Sequence, residues 1–118
     1  MGQEREIPPQ IREQLIRFQQ LQQALQAIVS QKQQLEVESM EIDRAISELE
    51  KVGDDAPVYK NVGAILMRAD RGALLNELRE KKELVSTRIT ILGKQEARTR
   101  ERMKELQDKL QEKLRPQA

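Results

Sequence analysis

From Ile11 to Leu49, apolar side chains return every three or four positions, and neither proline nor glycine interrupts the interval. One series reads Ile11, Phe18, Leu25, Lys32, Ser39, Ile46; the other reads Gln14, Leu21, Ile28, Leu35, Ile42, Leu49. A seven-residue repeat that is apolar at most of these positions keeps one stripe along a supercoiled helix, so the pattern predicts a coiled-coil seam. Pro8 and Pro9 suit the first helical turn, where a missing N–H costs nothing. Gly53 is expected as the C-terminal cap. A second helix is predicted from near Leu74, capped by Asp70, to about Leu114, ahead of Pro116. Its series are Leu75, Lys82, Ile89, Glu96, Met103, Leu110 and Leu78, Val85, Leu92, Thr99, Leu106, Lys113. This seam is weaker, and Gly93 costs roughly 1 kcal/mol relative to alanine inside a helix.

The two stretches have nearly equal length, so one can fold back on the other. The register that results places Leu49 opposite Leu75, Ile46 opposite Leu78, Ile42 opposite Lys82, Ser39 opposite Val85 and Leu35 opposite Ile89. It continues with Lys32 and Leu92, Ile28 and Glu96, Leu25 and Thr99, Leu21 and Met103, Phe18 and Leu106. Each polar seam residue then faces an apolar one, and the stems of Lys32 and Lys82 cover the seam while their heads reach water. The expected architecture is mainly α, an antiparallel two-helix coiled coil with arms of roughly 58 Å.

Between the arms the period changes from seven to two. Two short strands are predicted, Val58 to Asn61 and Ala64 to Arg68, around a turn at Asn61 to Gly63. A lone two-stranded hairpin is marginal in water. This one carries Val58, Tyr59, Val62, Ile65, Leu66 and Met67 with no further element to cover them, so another subunit is expected to do so by strand pairing and side-chain burial.

Composition removes whole classes of chemistry. The 118 residues include no Cys, no His and no Trp, and Phe18 and Tyr59 are the only aromatic residues. Disulfides, thiol and imidazole nucleophiles, imidazole bases and the usual zinc ligands are therefore absent. Gly53, Gly63, Gly72 and Gly93 stand apart, so no phosphate-binding glycine loop exists. Asp54-Asp55 is read as a solvated turn, not as an acid/base or cation-holding pair. No catalytic residue, cofactor site or metal site is expected.

Charge refines the picture. Residues 1–53 carry 6 Lys/Arg against 9 Asp/Glu, and 54–118 carry 15 against 11, as suits a chain folding back on itself. Arg98, Arg100, Arg102 and Lys104 alternate with Glu96, Glu101 and Glu105, which describes a solvated helix face better than a nucleic-acid site. The glutamine run from Gln19 to Gln26 keeps Leu21 and Leu25 at helical spacing, so it is read as an uncharged face of the coiled coil. No run matches the ~18 apolar residues of a membrane span, and Met1 to Glu6 lack the apolar segment of a secretory signal. A soluble, cytoplasmic protein is expected. At the far end of the arms, Ile7, Ile11, Leu15, Leu106, Leu110 and Leu114 converge, where fraying leaves apolar surface accessible.

Ile7-Pro8-Pro9, Phe18 to Gln23, Gln31 to Glu36, and Val58-Tyr59-Lys60-Asn61-Val62-Gly63 followed by Ile65-Leu66 resemble the beta type of archaeal prefoldin, over almost the whole chain. The tyrosine-lysine-x-x-glycine turn midway between matched arms is the most specific feature, and one hairpin between the helices is the beta pattern. The resemblance implies an ATP-independent co-chaperone, or holdase, built as a hexamer of two alpha and four beta subunits. Their hairpins would join in an intersubunit β-barrel from which the coiled coils hang. Non-native clients would be held at the distal tips and passed to a group II chaperonin. Carried onto this chain, Ile7, Ile11, Leu15, Leu106, Leu110 and Leu114 would contact clients. Val58, Tyr59, Lys60, Val62, Gly63, Ile65, Leu66 and Met67 would form the assembly hairpin. The short stretch after Leu114 departs from relatives that carry a longer tail. The expected organisation is a single domain over 1–118, with helices over 7–52 and 71–115 flanking a linker and hairpin over 53–70. The competing readings are a homodimeric coiled-coil scaffold without chaperone activity and a helical nucleic-acid binder using Arg98 to Lys104.

Overall fold

The computed structural model describes residues 7–115 of the chain. The lack of a secretory segment over Met1 to Glu6 and the stop at Pro116 lie outside the described residues. The order of elements is helix α1 (Pro9–Lys51), strand β1 (Val58–Val62), strand β2 (Ile65–Ala69) and helix α2 (Arg71–Leu114). Pro9 takes the first position of α1, and the Arg12 N–H donates to the Pro8 carbonyl at 3.0 Å. Proline's fixed φ thus starts the helix at a place where no amide donor is needed.

Helix α2 begins at Arg71, as the expected organisation over 71–115 has it and one turn before the point near Leu74 where the heptad pattern sets in. Arg71-Gly72-Ala73 has no large apolar residue to carry the heptad pattern, yet Asp70 recruits this turn into the helix. A carboxylate oxygen of Asp70 accepts from the Ala73 N–H at 2.9 Å, and its backbone carbonyl accepts from the Leu74 N–H at 2.9 Å. Capping of this kind is worth about 1 kcal/mol.

The end of α1 departs from expectation. Gly63 is the only described residue with a positive φ, so Gly53 does not close the helix in a left-handed conformation. Instead the Arg71 Nε donates to the Leu49 carbonyl at 2.7 Å, and its Nη1 donates to Asp54 Oδ1 at 2.9 Å. The Ala56 N–H closes the intervening turn on the Gly53 carbonyl at 3.0 Å. A guanidinium from the opposite helix thus satisfies a last-turn carbonyl of α1. Its charge lies at the negative end of that helix dipole.

By packing, the described residues group into two units, one of 7–31 with 92–115 and the other of Lys32–Ile91. In the first unit Ile11 and Leu110 are buried, while Phe18, Leu21, Leu25, Ile28, Leu92, Met103 and Leu106 are half-buried. In the second, Ile42, Leu75 and Val85 are buried, with Leu35, Ile46, Leu49, Leu78 and Ile89 half-buried around them. All positions of the four heptad series are shielded to this degree except Lys113. Asp43 pairs with Lys82, beside the expected Ile42–Lys82 layer, and Glu38 pairs with Lys81 at 3.4 Å. The Asp43–Lys82 pair lies within one residue of the expected antiparallel register, and the Glu38–Lys81 pair reaches about one helical turn along the seam. Lys82 behaves as its amphipathic stem suggests, half-buried along its length with its ammonium group on a carboxylate.

A seam of this kind rests on few buried side chains, so each carries a large share of the stability. Ile42→Ala removes most of a side chain that is 5% exposed and is expected to cost about 2–4 kcal/mol. Met40→Ala, at a position 67% exposed, is expected to cost less than about 0.5 kcal/mol. Urea unfolding followed by helical circular dichroism measures both. Equal losses would show that the seam is not the core.

Candidate functional site

The hairpin is built from its turn outward. Val62 pairs with Ile65, leaving Gly63 and Ala64 as a two-residue loop. Gly63 has φ of +63°, and Ala64 is not in the positive-φ region. That combination is the primed turn with glycine at its first central position, whose twist matches the flanking strands. The expected strand limits are corrected accordingly. The turn lies at Gly63-Ala64 and not at Asn61 to Gly63, because β-branched Val62 extends β1 to the one residue free to adopt positive φ.

The antiparallel register pairs Val58 with Ala69, Tyr59 with Arg68, Lys60 with Met67 and Asn61 with Leu66. Directly paired residues share a face, so Lys60, Val62, Ile65 and Met67 lie on one face, and Tyr59 and Leu66 on the other. Val58, Lys60 and Ala69 are half-buried at the base. The Lys60 Nζ reaches Glu77 Oε2 at 3.4 Å and ties the first face to α2. Further out, both faces are open. Ile65 is 62% and Leu66 65% exposed, and Tyr59, Val62 and Met67 are exposed as well. Each strand of the two-stranded sheet also has one unpaired edge. Apolar faces and free backbone edges in one small element are the chemistry of strand addition.

The second group of expected site residues is divided by the structure. Ile11 and Leu110 are buried in the seam of the first unit, and Leu106 is half-buried. Ile7, Leu15 and Leu114 are exposed, the last at 64%. Ile16, which the heptad reading leaves off the seam, is exposed beside them in sequence. Gln14 brings its Oε1 into this seam, buried and without a hydrogen-bond partner. The open surface at these helix ends is therefore narrower than the six-residue set, with part of that set serving as packing.

Other constellations resolve simply. Asp54 is engaged by Arg71, and no group of three or more metal-binding side chains occurs among the described residues. Within the basic stretch, Arg100 donates through Nε and Nη2 to Glu96 Oε2 at 3.1 and 2.9 Å, an ion pair one helical turn apart. No helix among the described residues is long and apolar enough to cross a membrane. Arg71 is the residue that pattern reading passes over. The signal is its misfit, because a cation in the first turn of a helix opposes the helix dipole unless something else recruits it.

The structure thus sets a single hairpin with two open apolar faces between two heptad helices in chain order. The family model for prefoldin subunits matches residues 12–117. The chain belongs to the prefoldin family. It is 46% identical over 109 residues to the prefoldin subunit beta of Methanothrix thermoacetophila, covering 92% of this chain and 91% of that one. It is equally 46% identical over 113 residues to the prefoldin subunit beta of Archaeoglobus fulgidus, covering 96% and 97%. The crystal structure of the prefoldin beta subunit from Thermococcus strain KS-1 superimposes with a TM-score of 0.86 at 38% identity, covering 97% of this chain and all of that one. Prefoldins are chaperone subunits that act in protein folding as members of a multisubunit complex, and this chain shares that role.

Arg71 fixes where the prefoldin hairpin leaves the helices, because it holds a carbonyl of α1 and a linker carboxylate at once. Lysine carries one nitrogen and cannot reproduce two divergent donors. Arg71→Lys is therefore expected to cost about 1–2 kcal/mol in unfolding and to speed amide exchange over residues 50–56. Unchanged exchange there would show that the guanidinium is not what holds the junction.

Proposed function

We propose that this chain is the beta subunit of an ATP-independent holdase that keeps non-native proteins from aggregating and delivers them to a group II chaperonin in the cytoplasm. The observation that carries the reading is the placement of exposed apolar side chains. They lie on the hairpin, through Tyr59, Val62, Ile65, Leu66 and Met67, and on the helix ends, through Ile7, Leu15 and Leu114. The two groups, one on each unit, suit two tasks, assembly and client capture.

In this proposal the hairpin adds its free edges and apolar faces to those of neighbouring subunits, closing a β-barrel in a hexamer of two alpha and four beta chains. Closing a barrel removes the edges that make a lone hairpin unstable. The assembly hairpin comprises Val58, Tyr59, Lys60, Val62, Gly63, Ile65, Leu66 and Met67, with Gly63 setting the turn and Lys60 bracing the base. Clients meet Ile7, Leu15 and Leu114 first. Ile11, Leu106 and Leu110 support them and join the contact when the terminal turns open. Several weak tips on one client give avidity with fast release. The resting chain needs no nucleotide for this cycle, since capture and release are differences in apolar burial.

Two measurements test the two tasks separately. Leu66→Asp places a carboxylate where the barrel would be dry, so the native mass of the complex is expected to fall to that of small species. An unchanged mass rules out hairpin assembly. The triple variant Ile7→Gln, Leu15→Gln, Leu114→Gln spares the buried seam, so helicity and oligomer mass should stay constant while suppression of aggregation of a chemically unfolded client drops several-fold. Full suppression by the intact triple variant removes the tips from client binding.

A further inference from the structure

Charge is unevenly spread between the two units. Within residues 7–31 and 92–115 there are ten Lys/Arg against six Asp/Glu, while residues 32–91 hold ten against twelve. Pairing differs too. In the second unit Lys60, Arg71, Lys81 and Lys82 each meet a carboxylate from another element. In the first, Arg17, Arg102 and Lys109 have no ion-pair partner among the described residues.

These three cations share a groove. Arg17 and Leu21 of α1, with Arg102, Glu105, Leu106 and Lys109 of α2, line an open depression of about 350 Å³. Leu21 and Leu106 are the half-buried members and form its floor, while the charged side chains are exposed at its walls. The volume lies at the low end of ligand-sized cavities, enough for an apolar side chain or two and too small and open to enclose a cofactor. No aromatic side chain lines it, which removes the base-stacking platform of a nucleic-acid groove.

We propose that this groove selects among clients, taking unfolded segments in which a leucine-like side chain is flanked by aspartate or glutamate. The inference rests on the holdase reading above and adds a sequence preference to it. The apolar side chain sits on Leu21 and Leu106, and the flanking carboxylates meet Arg17, Arg102 and Lys109. Each pair is exposed and individually weak, so preference arises from three acting together and fades as salt rises.

The test uses the full chain in its native oligomer and three labelled unstructured peptides of equal length and leucine content, flanked by Glu, Gln or Lys. Fluorescence anisotropy at low salt is expected to show the Glu-flanked peptide binding roughly tenfold tighter than the Lys-flanked one, with the Gln-flanked peptide between. Arg17→Gln, Arg102→Gln, Lys109→Gln together should remove the preference, and the corresponding three changes to Glu should reverse it, with helicity and oligomer mass unchanged in both. If the Gln-flanked peptide binds and the three affinities are equal, the groove proposal falls while the holdase reading stands. If none of the peptides binds, both fall. Tighter binding of a single-stranded oligonucleotide than of the Glu-flanked peptide, lost in the Gln variant, makes the groove a polyanion site and overturns the peptide assignment.

Discussion

In each unit the two helices share only one seam, and much else follows from that. A helix in a larger bundle can bury a wide stripe against several neighbours, but a pair buries only the heptad positions that face each other. Among the described residues the buried hydrophobic side chains are therefore few, namely Ile11, Ile42, Leu75, Val85 and Leu110, all aliphatic. With so little interior, the chain has no place to hide the apolar residues of its hairpin. Exposure of Ile65 and Leu66 follows from an architecture in which the described residues provide no third layer. Such a chain suits the multisubunit complex to which prefoldin subunits belong.

The same scarcity explains why the junction is held by polar contacts. Where α1 ends and α2 begins, two unlike helix poles come together, one rich in unpaired carbonyls and the other in unpaired amides. Asp70 serves the amide pole of α2, and Arg71 turns away from it to serve the carbonyl pole of α1. Adjacent residues of opposite charge thus each find the pole of opposite sign. The arrangement compensates for the unfavourable position that Arg71 holds in its own helix.

The seam was legible because coiled-coil geometry is a property of spacing. The series beginning at Ile11, Gln14, Leu75 and Leu78 mark buried or half-buried positions almost to their ends, and even Lys32 and Lys82 sit where the period puts them. The existence and place of the hairpin were equally clear from the change of period. Asn61, a common turn former, draws the expected turn one residue early, whereas the deciding constraint is the backbone freedom of Gly63. The heptad pattern taken alone starts α2 late, near Leu74 and not at Arg71, because capping, unlike packing, leaves no periodic trace. Arg71 was invisible to pattern reading since its bond to Leu49 spans 22 residues. The division of the helix-end residues into buried Ile11 and Leu110 and exposed Ile7, Leu15 and Leu114 depends on where the seam stops, which spacing alone does not set.

Tyr59, the sole tyrosine, stands in the β-hairpin, with no tryptophan anywhere in the sequence and Phe18 far off in sequence, within the seam of the first unit. Near-ultraviolet light therefore sees almost nothing of the coiled coil. Tyrosine emission and its quenching report the surroundings of one exposed strand, while the helices stay dark. The protein thus comes with its own optical label, placed by composition alone on the surface whose occupancy matters most, and the state of the hairpin can be followed without attaching a dye.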